Sequence, residues 1–166
     1  GAAGQPESFG LWAVMIYLTA YLLMTFGAFG LIVLLEAKGY ATESVDDFNG
    51  LWKRNPLAAA AMVVFLLSLA GIPPTAGFVG KYFLFSAAIK AGWPALALLG
   101  VLMSAVSLFY YFRIVRAMYF TEGEGEVRWR EEPAVAVAVG LCFVGTLALG
   151  VMPQPLVALA KACLLP

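Results

Sequence analysis

Lys81 is the residue of this chain with the clearest potential for chemistry, because it lies at the end of a long apolar segment. No charged residue separates it from Arg54, and a break formed by Gly71 and the pair Pro73 and Pro74 precedes it. When a lysine is removed from bulk water, its protonation responds strongly to the charges around it. We therefore interpret Lys81 as a candidate proton carrier that needs no redox group beside it.

The same residues also allow a structural interpretation of Lys81. Its side chain could cap the carbonyl groups of a broken helix or pair with an acid. A phosphate-binding loop of the Walker type is excluded, because the glycine spacing differs and Tyr82, not serine or threonine, follows the lysine. A proton carrier and a structural lysine therefore remain as the two alternatives.

The residues before Lys81 predict a helix that is interrupted inside its apolar run. Two adjacent prolines remove two backbone donors and clash with the preceding turn, so a continuous helix is not expected. The interruption would leave carbonyl groups near Leu69 and Ala70 without helical partners, with room for water beside them. The residues that we expect to form this break are Gly71, Pro73, Pro74, Gly77 and Gly80.

The composition indicates an integral membrane protein. Of 166 residues, 63% are hydrophobic and only 12% are charged, whereas a soluble domain carries about 25% charged residues. The net charge is zero, with no basic block, which argues against nucleic acid as a partner. The chain has no histidine, and its two cysteines, Cys142 and Cys163, are separate, so ligands for zinc or haem are lacking.

The apolar runs predict an all-α, polytopic bundle with four transmembrane spans. The second span is expected to be discontinuous at Gly71–Pro74, and a short amphipathic surface helix should cover about 44–53. If the second span ends near Ala91, Lys81 lies about 15 Å from that end, near the centre of a membrane core about 30 Å thick. The four spans cover about 9–36, 56–91, 93–119 and 133–152.

Basic residues predict the orientation of the bundle and concentrate in two long polar connections. Because successive spans alternate in direction, both connections fall on one side, which the positive-inside rule assigns to the cytoplasm. Both ends of the chain would then face outward. The chain begins without methionine, and we expect it to be the C-terminal part of a longer protein. The basic residues are Lys38, Lys53, Arg54, Arg113, Arg116, Arg128 and Arg130.

Two runs of residues resemble a known family. The run from Leu67 to Tyr82 and the run from Ser107 to Arg113 resemble the antiporter-like membrane subunits of respiratory complex I, and most of all subunit N. The resemblance covers nearly the whole chain, and the stretch from Gly71 to Lys81 carries most of it. It identifies the chain as part of a proton-translocating domain, with the last four helices of the family represented.

This resemblance implies a role for Lys81 and places the redox chemistry in other subunits. Lys81 corresponds to the lysine of the family's second broken helix, on the proton path. NADH, FMN, iron–sulfur clusters and quinone would bind to other subunits, so this chain would hold no redox site. The expected partners are neighbouring antiporter-like subunits and other membrane subunits of the complex, in the bacterial inner membrane.

Related proteins keep two further functions open. Cation/proton antiporters and membrane-bound hydrogenases contain subunits with the same motif. A subunit that only holds its neighbours together is the third possibility, and in that case Lys81 would have no part in proton transfer. A lysine at position 81 and the ending Met152-Pro-Gln-Pro-Leu156 favour subunit N.

Overall fold

The computed structural model describes residues 6–35, 44–123 and 132–163, and within these ranges every regular element is helical. The predicted all-α class is therefore confirmed. The described elements are α1 (Pro6–Leu34), a 3-10 helix (Val45–Phe48), α2 (Leu51–Arg54), α3 (Pro56–Ala70), α4 (Ala76–Lys90), α5 (Pro94–Phe120), α6 (Pro133–Val151) and α7 (Gln154–Ala162).

Proline marks the beginning of several helices. Pro56, Pro94 and Pro133 each occupy the first turn of a helix, where the missing N–H has no helical partner to lose. Before α3, the side chain of Asn55 accepts a hydrogen bond from the N–H of Ala58 at 3.1 Å. The start of α3 is thus fixed by its own local sequence.

Helix α1 is the centre of the bundle and packs against α3, α4, α6 and α7. Glycines let its neighbours approach closely: a Cβ atom on Gly27 would overlap the ring of Phe65 from α3, and one on Gly30 would lie 2.8 Å from a methyl group of Val139 from α6. Phe65 is fully buried and its ring also meets that of Phe143 edge-on. The core therefore lies between α1, α3 and α6.

Three of the described helices are long and apolar enough to cross a membrane: Phe9–Leu34, Pro94–Phe120 and Pro133–Val151. Helix α3 is apolar but has only 15 residues. In the most apolar part of α5 only 6% of residues are buried, so this helix presents apolar side chains to its surroundings. The outer surface of the bundle therefore suits a hydrocarbon environment.

The polar connections meet at one end of the bundle. Where the sequence predicts one amphipathic helix over 44–53, the structure has two short helical elements, separated by Gly50 at φ +65°. The N–H of Gly50 donates to the carbonyl of Ala117 at 3.1 Å, and Lys53 lies 3.7 Å from Glu122. The predicted first-span end at 36 and most of the second connection, 124–131, lie outside the described residues.

Lysines mark the opposite end of the bundle. The ammonium of Lys90 lies 3.9 Å from the centre of the Phe9 ring, and that of Lys161 lies 5.2 Å from the ring centre of Trp12. Both rings belong to the first turns of α1, and Lys161 comes from α7. The C-terminal ends of α4 and α7 therefore meet the beginning of α1 here.

Candidate functional site

The candidate site lies where α3 ends and α4 begins, with five residues, 71–75, between the two helices. Gly71 follows the last residue of α3 with φ +86°, a backbone conformation that side chains with a Cβ rarely adopt. Its N–H donates to the carbonyls of Leu67 and Ser68, and the N–H of Ile72 also reaches Leu67, each at 3.0 Å. This is a Schellman-type helix end, and it satisfies two of the last four carbonyls of α3.

The ammonium of Lys81 satisfies the other two carbonyls. Its Nζ donates to Leu69 at 2.9 Å and to Ala70 at 3.1 Å. A positive charge at the C-terminal end of a helix is also favoured by the helix dipole. Each of the last four carbonyls of α3 therefore has a hydrogen-bond donor, and for two of the four the donor is one lysine on the next helix.

A second contact joins the two helices beside the lysine. The N–H of Gly77, in the first turn of α4, donates to the hydroxyl of Ser68 at 3.0 Å, and this hydroxyl donates to the sulfur of Met24 at 3.4 Å. A Cβ atom on Gly77 would overlap the carbonyl oxygen of Ser68. Glycine at this position therefore allows the start of α4 to lie directly against the end of α3.

Lys81 borders a cavity of about 370 Å³ between α4 and α5. Its side chain is partly buried, and within the described ranges no acidic side chain forms an ion pair with it. The polar members of the lining are few, so the ammonium is the main charged group of the cavity. The lining residues are Ala70, Gly71, Phe78, Lys81, Tyr82, Phe85, Ser86, Ile89, Val101 and Ser104.

The predicted site residues are placed in three different ways. Gly71 and Gly77 adjoin the lysine and the end of α3, as described above. Gly80 faces α1, where a Cβ atom would lie 3.1 Å from the Cα of Tyr17. Pro73 and Pro74 are exposed in the connecting turn, and the peptide bond between them is cis.

Sequence reasoning missed two residues of this site. Ser68 is fully buried among apolar side chains, and a Cβ atom on Gly150 of α6 would overlap the carbonyl of Pro74. The only sequence signal for Ser68 is a hydroxyl in an otherwise apolar helix, just before the break. For Gly150 there is no local signal, because its partner lies far away in the chain.

The geometry limits the chemistry that the site can perform. An amine that donates to two carbonyls can release a proton and bind it again without moving. The neutral amine still has two N–H groups, one for each carbonyl. Tyr82, Ser86 and Ser104 line the same cavity, but the hydrogen bonds of the ammonium go to the two backbone carbonyls. Reversible protonation of a single amine is therefore one reaction that this arrangement allows.

The chain matches a known family over most of its length. Residues 3–107 match the model of a family described as "NADH:quinone oxidoreductase/Mrp antiporter, TM". The NADH-quinone oxidoreductase subunit N of Trichlorobacter lovleyi is 44% identical over 153 residues, which are 92% of this chain and 31% of the relative. That of Chloroflexus aggregans is 41% identical over 164 residues, 99% of this chain and 34% of the relative.

Two solved complexes contain chains with a similar fold. One is respiratory complex I from Thermus thermophilus with bound aureothin, with a TM-score of 0.75 and 33% identity, over 89% of this chain and 34% of that chain. The other is the Mrp complex from Dietzia sp. DQ12-45-1b, with a TM-score of 0.76 and 25% identity, over 93% and 37%. The present chain thus spans about a third of the length of the relatives that it matches.

Proposed function

This chain belongs to the NADH:quinone oxidoreductase/Mrp antiporter transmembrane family, and we propose that it is part of a proton-translocating membrane subunit of an NADH–quinone oxidoreductase, with Lys81 as a proton carrier. One observation carries the proposal. The ammonium of Lys81 reaches across a helix break to the carbonyls of Leu69 and Ala70, beside a cavity, in a bundle whose surface is apolar.

The proposal includes a membrane span made of two helices. Helices α3 and α4 have 15 residues each, about 22 Å, which is less than the hydrocarbon core of about 30 Å. Joined by the turn at 71–75, they form one discontinuous span, the second of four. Non-helical backbone at membrane depth is tolerated where protein or water surrounds it, and Gly150 of α6 packs directly against the backbone of Pro74 and Thr75 in this turn.

Lys81 is suited to carry protons because of its place in that span. It lies about ten residues before the end of the second span, near mid-membrane, where a charged lysine is costly unless it has polar partners. The two carbonyls stabilise the ammonium, and the cavity beside it is large enough to hold water molecules. A change in charge nearby can then load or unload the proton without any redox group in this chain.

The remaining parts of the reaction belong to other subunits. NADH and quinone react elsewhere in the complex, and this chain contributes to the proton path beside neighbouring antiporter-like subunits. The membrane is the bacterial inner membrane. The two polar connections, which carry the basic residues, face the cytoplasm, and Lys90 and Lys161 face outward.

Replacing Lys81 by methionine in the intact complex tests this proposal. Methionine keeps the length and apolar volume of the side chain but cannot bind a proton. We expect fewer protons pumped per NADH oxidised, and slower coupled electron transfer. The matched control is Lys90→Met, on the same helix, because Lys90 lies at the helix end over Phe9. That variant should pump normally.

The same experiment separates the carrier from a purely structural lysine. A structural lysine that only caps α3 predicts less assembled Lys81→Met complex, with normal pumping in the fraction that assembles. Pumping is therefore measured per assembled complex, with the amount taken from native gels. A normal proton yield in fully assembled Lys81→Met complex would reject the carrier role.

A cation/proton antiporter subunit is the second candidate, and the likeness to a chain of the Mrp complex favours it. An antiporter would move sodium against protons without electron transfer. Vesicles containing the protein together with its partner subunits, driven by a pH gradient in the absence of NADH, distinguish the two functions. Sodium uptake that collapses the pH gradient would favour the antiporter.

A further inference from the structure

The hydroxyl of Ser68 has an unusual place in this fold, because it caps a helix other than its own. Ser68 belongs to the last turn of α3 and has 0% of its surface exposed. Its Oγ accepts from the N–H of Gly77 at 3.0 Å, in the first turn of α4. N–H groups of a first turn have no helical partners, so this hydroxyl satisfies a buried donor.

The residue expected to cap α4 does not do so. Thr75 precedes the helix, and threonine at this position commonly accepts from an N–H of the first turn. Here the Thr75 hydroxyl donates to the carbonyl of Ile72 at 2.7 Å and makes no cap hydrogen bond. The Gly77 N–H therefore depends on a hydroxyl supplied across the break.

The contacts of Ser68 and Lys81 join the same two helix ends. Gly77 and Lys81 are four residues apart, so they lie on one face of α4, one turn from each other. Their partners are consecutive residues at the end of α3, since Gly77 meets Ser68 while Lys81 meets Leu69 and Ala70. The same two helix ends are thus joined twice, once by a hydroxyl and once by an ammonium.

We infer that Ser68 is a positioning residue for Lys81: its hydroxyl holds the start of α4 at the distance where the ammonium reaches both carbonyls. Without it, the Gly77 N–H is buried and unpaired, which is costly, and α4 gains by moving away to find another partner. Because this inference rests on the proposed role of Lys81, it needs a test that does not depend on proton pumping.

The first experiment measures the hydroxyl contact directly. Ser68→Thr keeps the hydroxyl and adds a methyl group. Ser68→Val has the same shape as threonine but carries a methyl group in place of the hydroxyl. Any packing strain from the larger side chain is therefore shared by both variants. Hydrogen exchange of the segment 76–81, followed by mass spectrometry on the intact complex, should be faster in Ser68→Val than in Ser68→Thr by about fivefold to tenfold. Equal exchange in the two variants would overturn the inference.

The second experiment asks whether Ser68 acts through Lys81. Ser68→Ala should lower the proton yield per assembled complex when Lys81 is present, and should lower it no further in a Lys81→Met background. Losses that add in the double variant would overturn the inference. Ser107→Ala is the control, because that hydroxyl bonds within α5, to the Ser104 carbonyl at 2.8 Å, and its loss should leave pumping unchanged.

The two experiments distinguish failure of the inference from failure of the proposed function. Normal pumping by Lys81→Met rejects the proposed function, while the exchange comparison still tests the contact between Ser68 and Gly77. Conversely, impaired pumping by Lys81→Met with identical exchange in Ser68→Thr and Ser68→Val leaves Lys81 as carrier and rejects Ser68 as its positioning residue. Where the threonine and valine variants do not assemble, Ser68→Ala is compared with Ser107→Ala by exchange of 76–81, and equal exchange overturns the inference.

Discussion

The side chain of Lys81 occupies the space in which a side chain at position 71 would stand. A Cβ atom on Gly71 would lie 2.9 Å from the Cδ of Lys81 and 3.5 Å from its Nζ. The glycine that ends α3 therefore also leaves the space in which the aliphatic part of the Lys81 side chain packs. Local helix termination and the placement of the ammonium depend on the same missing atom.

Gly71→Ala should therefore disturb proton pumping as well as stability. The left-handed backbone alone costs an alanine about 1–2 kcal/mol, and the added methyl group also displaces the lysine from its carbonyls. We expect a lower thermal unfolding midpoint and a lower proton yield per assembled complex, measured on the purified variant. Gly92→Ala is the matched control, since Gly92 has φ +83° with nothing within 4 Å of its Cβ position. It should lose similar stability and pump normally, and equal pumping by both variants would contradict this prediction.

Gly77→Ala should impair assembly of the subunit. In most helices this change stabilises by about 0.5–1 kcal/mol, but here the new methyl group meets the Ser68 carbonyl, which is fixed in the backbone of α3. We expect a net destabilisation of about 1–3 kcal/mol, as for other overpacked sites. The measurement is the amount of assembled complex and its unfolding midpoint. Gly10→Ala, also within a helix but with an open Cβ position, should be neutral or stabilising.

Gly27→Ala should be destabilising because of one aromatic ring, and a second change should rescue it. The new methyl group would overlap the ring of Phe65, at a cost of about 1–3 kcal/mol. Phe65→Leu removes the ring atoms involved and leaves a cavity of its own. The double variant should be more stable than the sum of the two single changes predicts, by about 1 kcal/mol. If the changes in unfolding midpoint of the two single variants simply add in the double variant, the new methyl group and the Phe65 ring do not clash.

The sequence predicts the local features of the site well, because each follows from one residue type. Gly71 ends a helix because it adopts a positive φ, and the prolines after it supply no N–H to extend the helix. The carbonyls of Leu69 and Ala70 were expected to lack helical partners, and in the structure these are the two that Lys81 meets. The resemblance carried by Leu67 to Tyr82 is confirmed by the family to which the chain belongs.

The features that the sequence does not predict all depend on distant parts of the chain. Ser68 looks like a small packing residue until α4 brings the Gly77 N–H to it. The helix predicted over 44–53 was inferred from apolar spacing, yet Gly50 divides this segment so that its N–H can reach Ala117 at the end of α5. Tertiary contacts of this kind leave no periodic signal in the local sequence.

The hydrogen bonds at the end of α3 also link hydration to the position of one amine. Leu67 and Ser68 accept hydrogen bonds from backbone N–H groups, whereas among the described residues Leu69 and Ala70 accept theirs from the Lys81 ammonium. If that group moves away, these two carbonyls must accept hydrogen bonds from water or stay unpaired, which costs several kcal/mol where no water is present. Hydration of this helix end and departure of the lysine should therefore occur together. Water molecules would then donate the hydrogen bonds that the ammonium had donated.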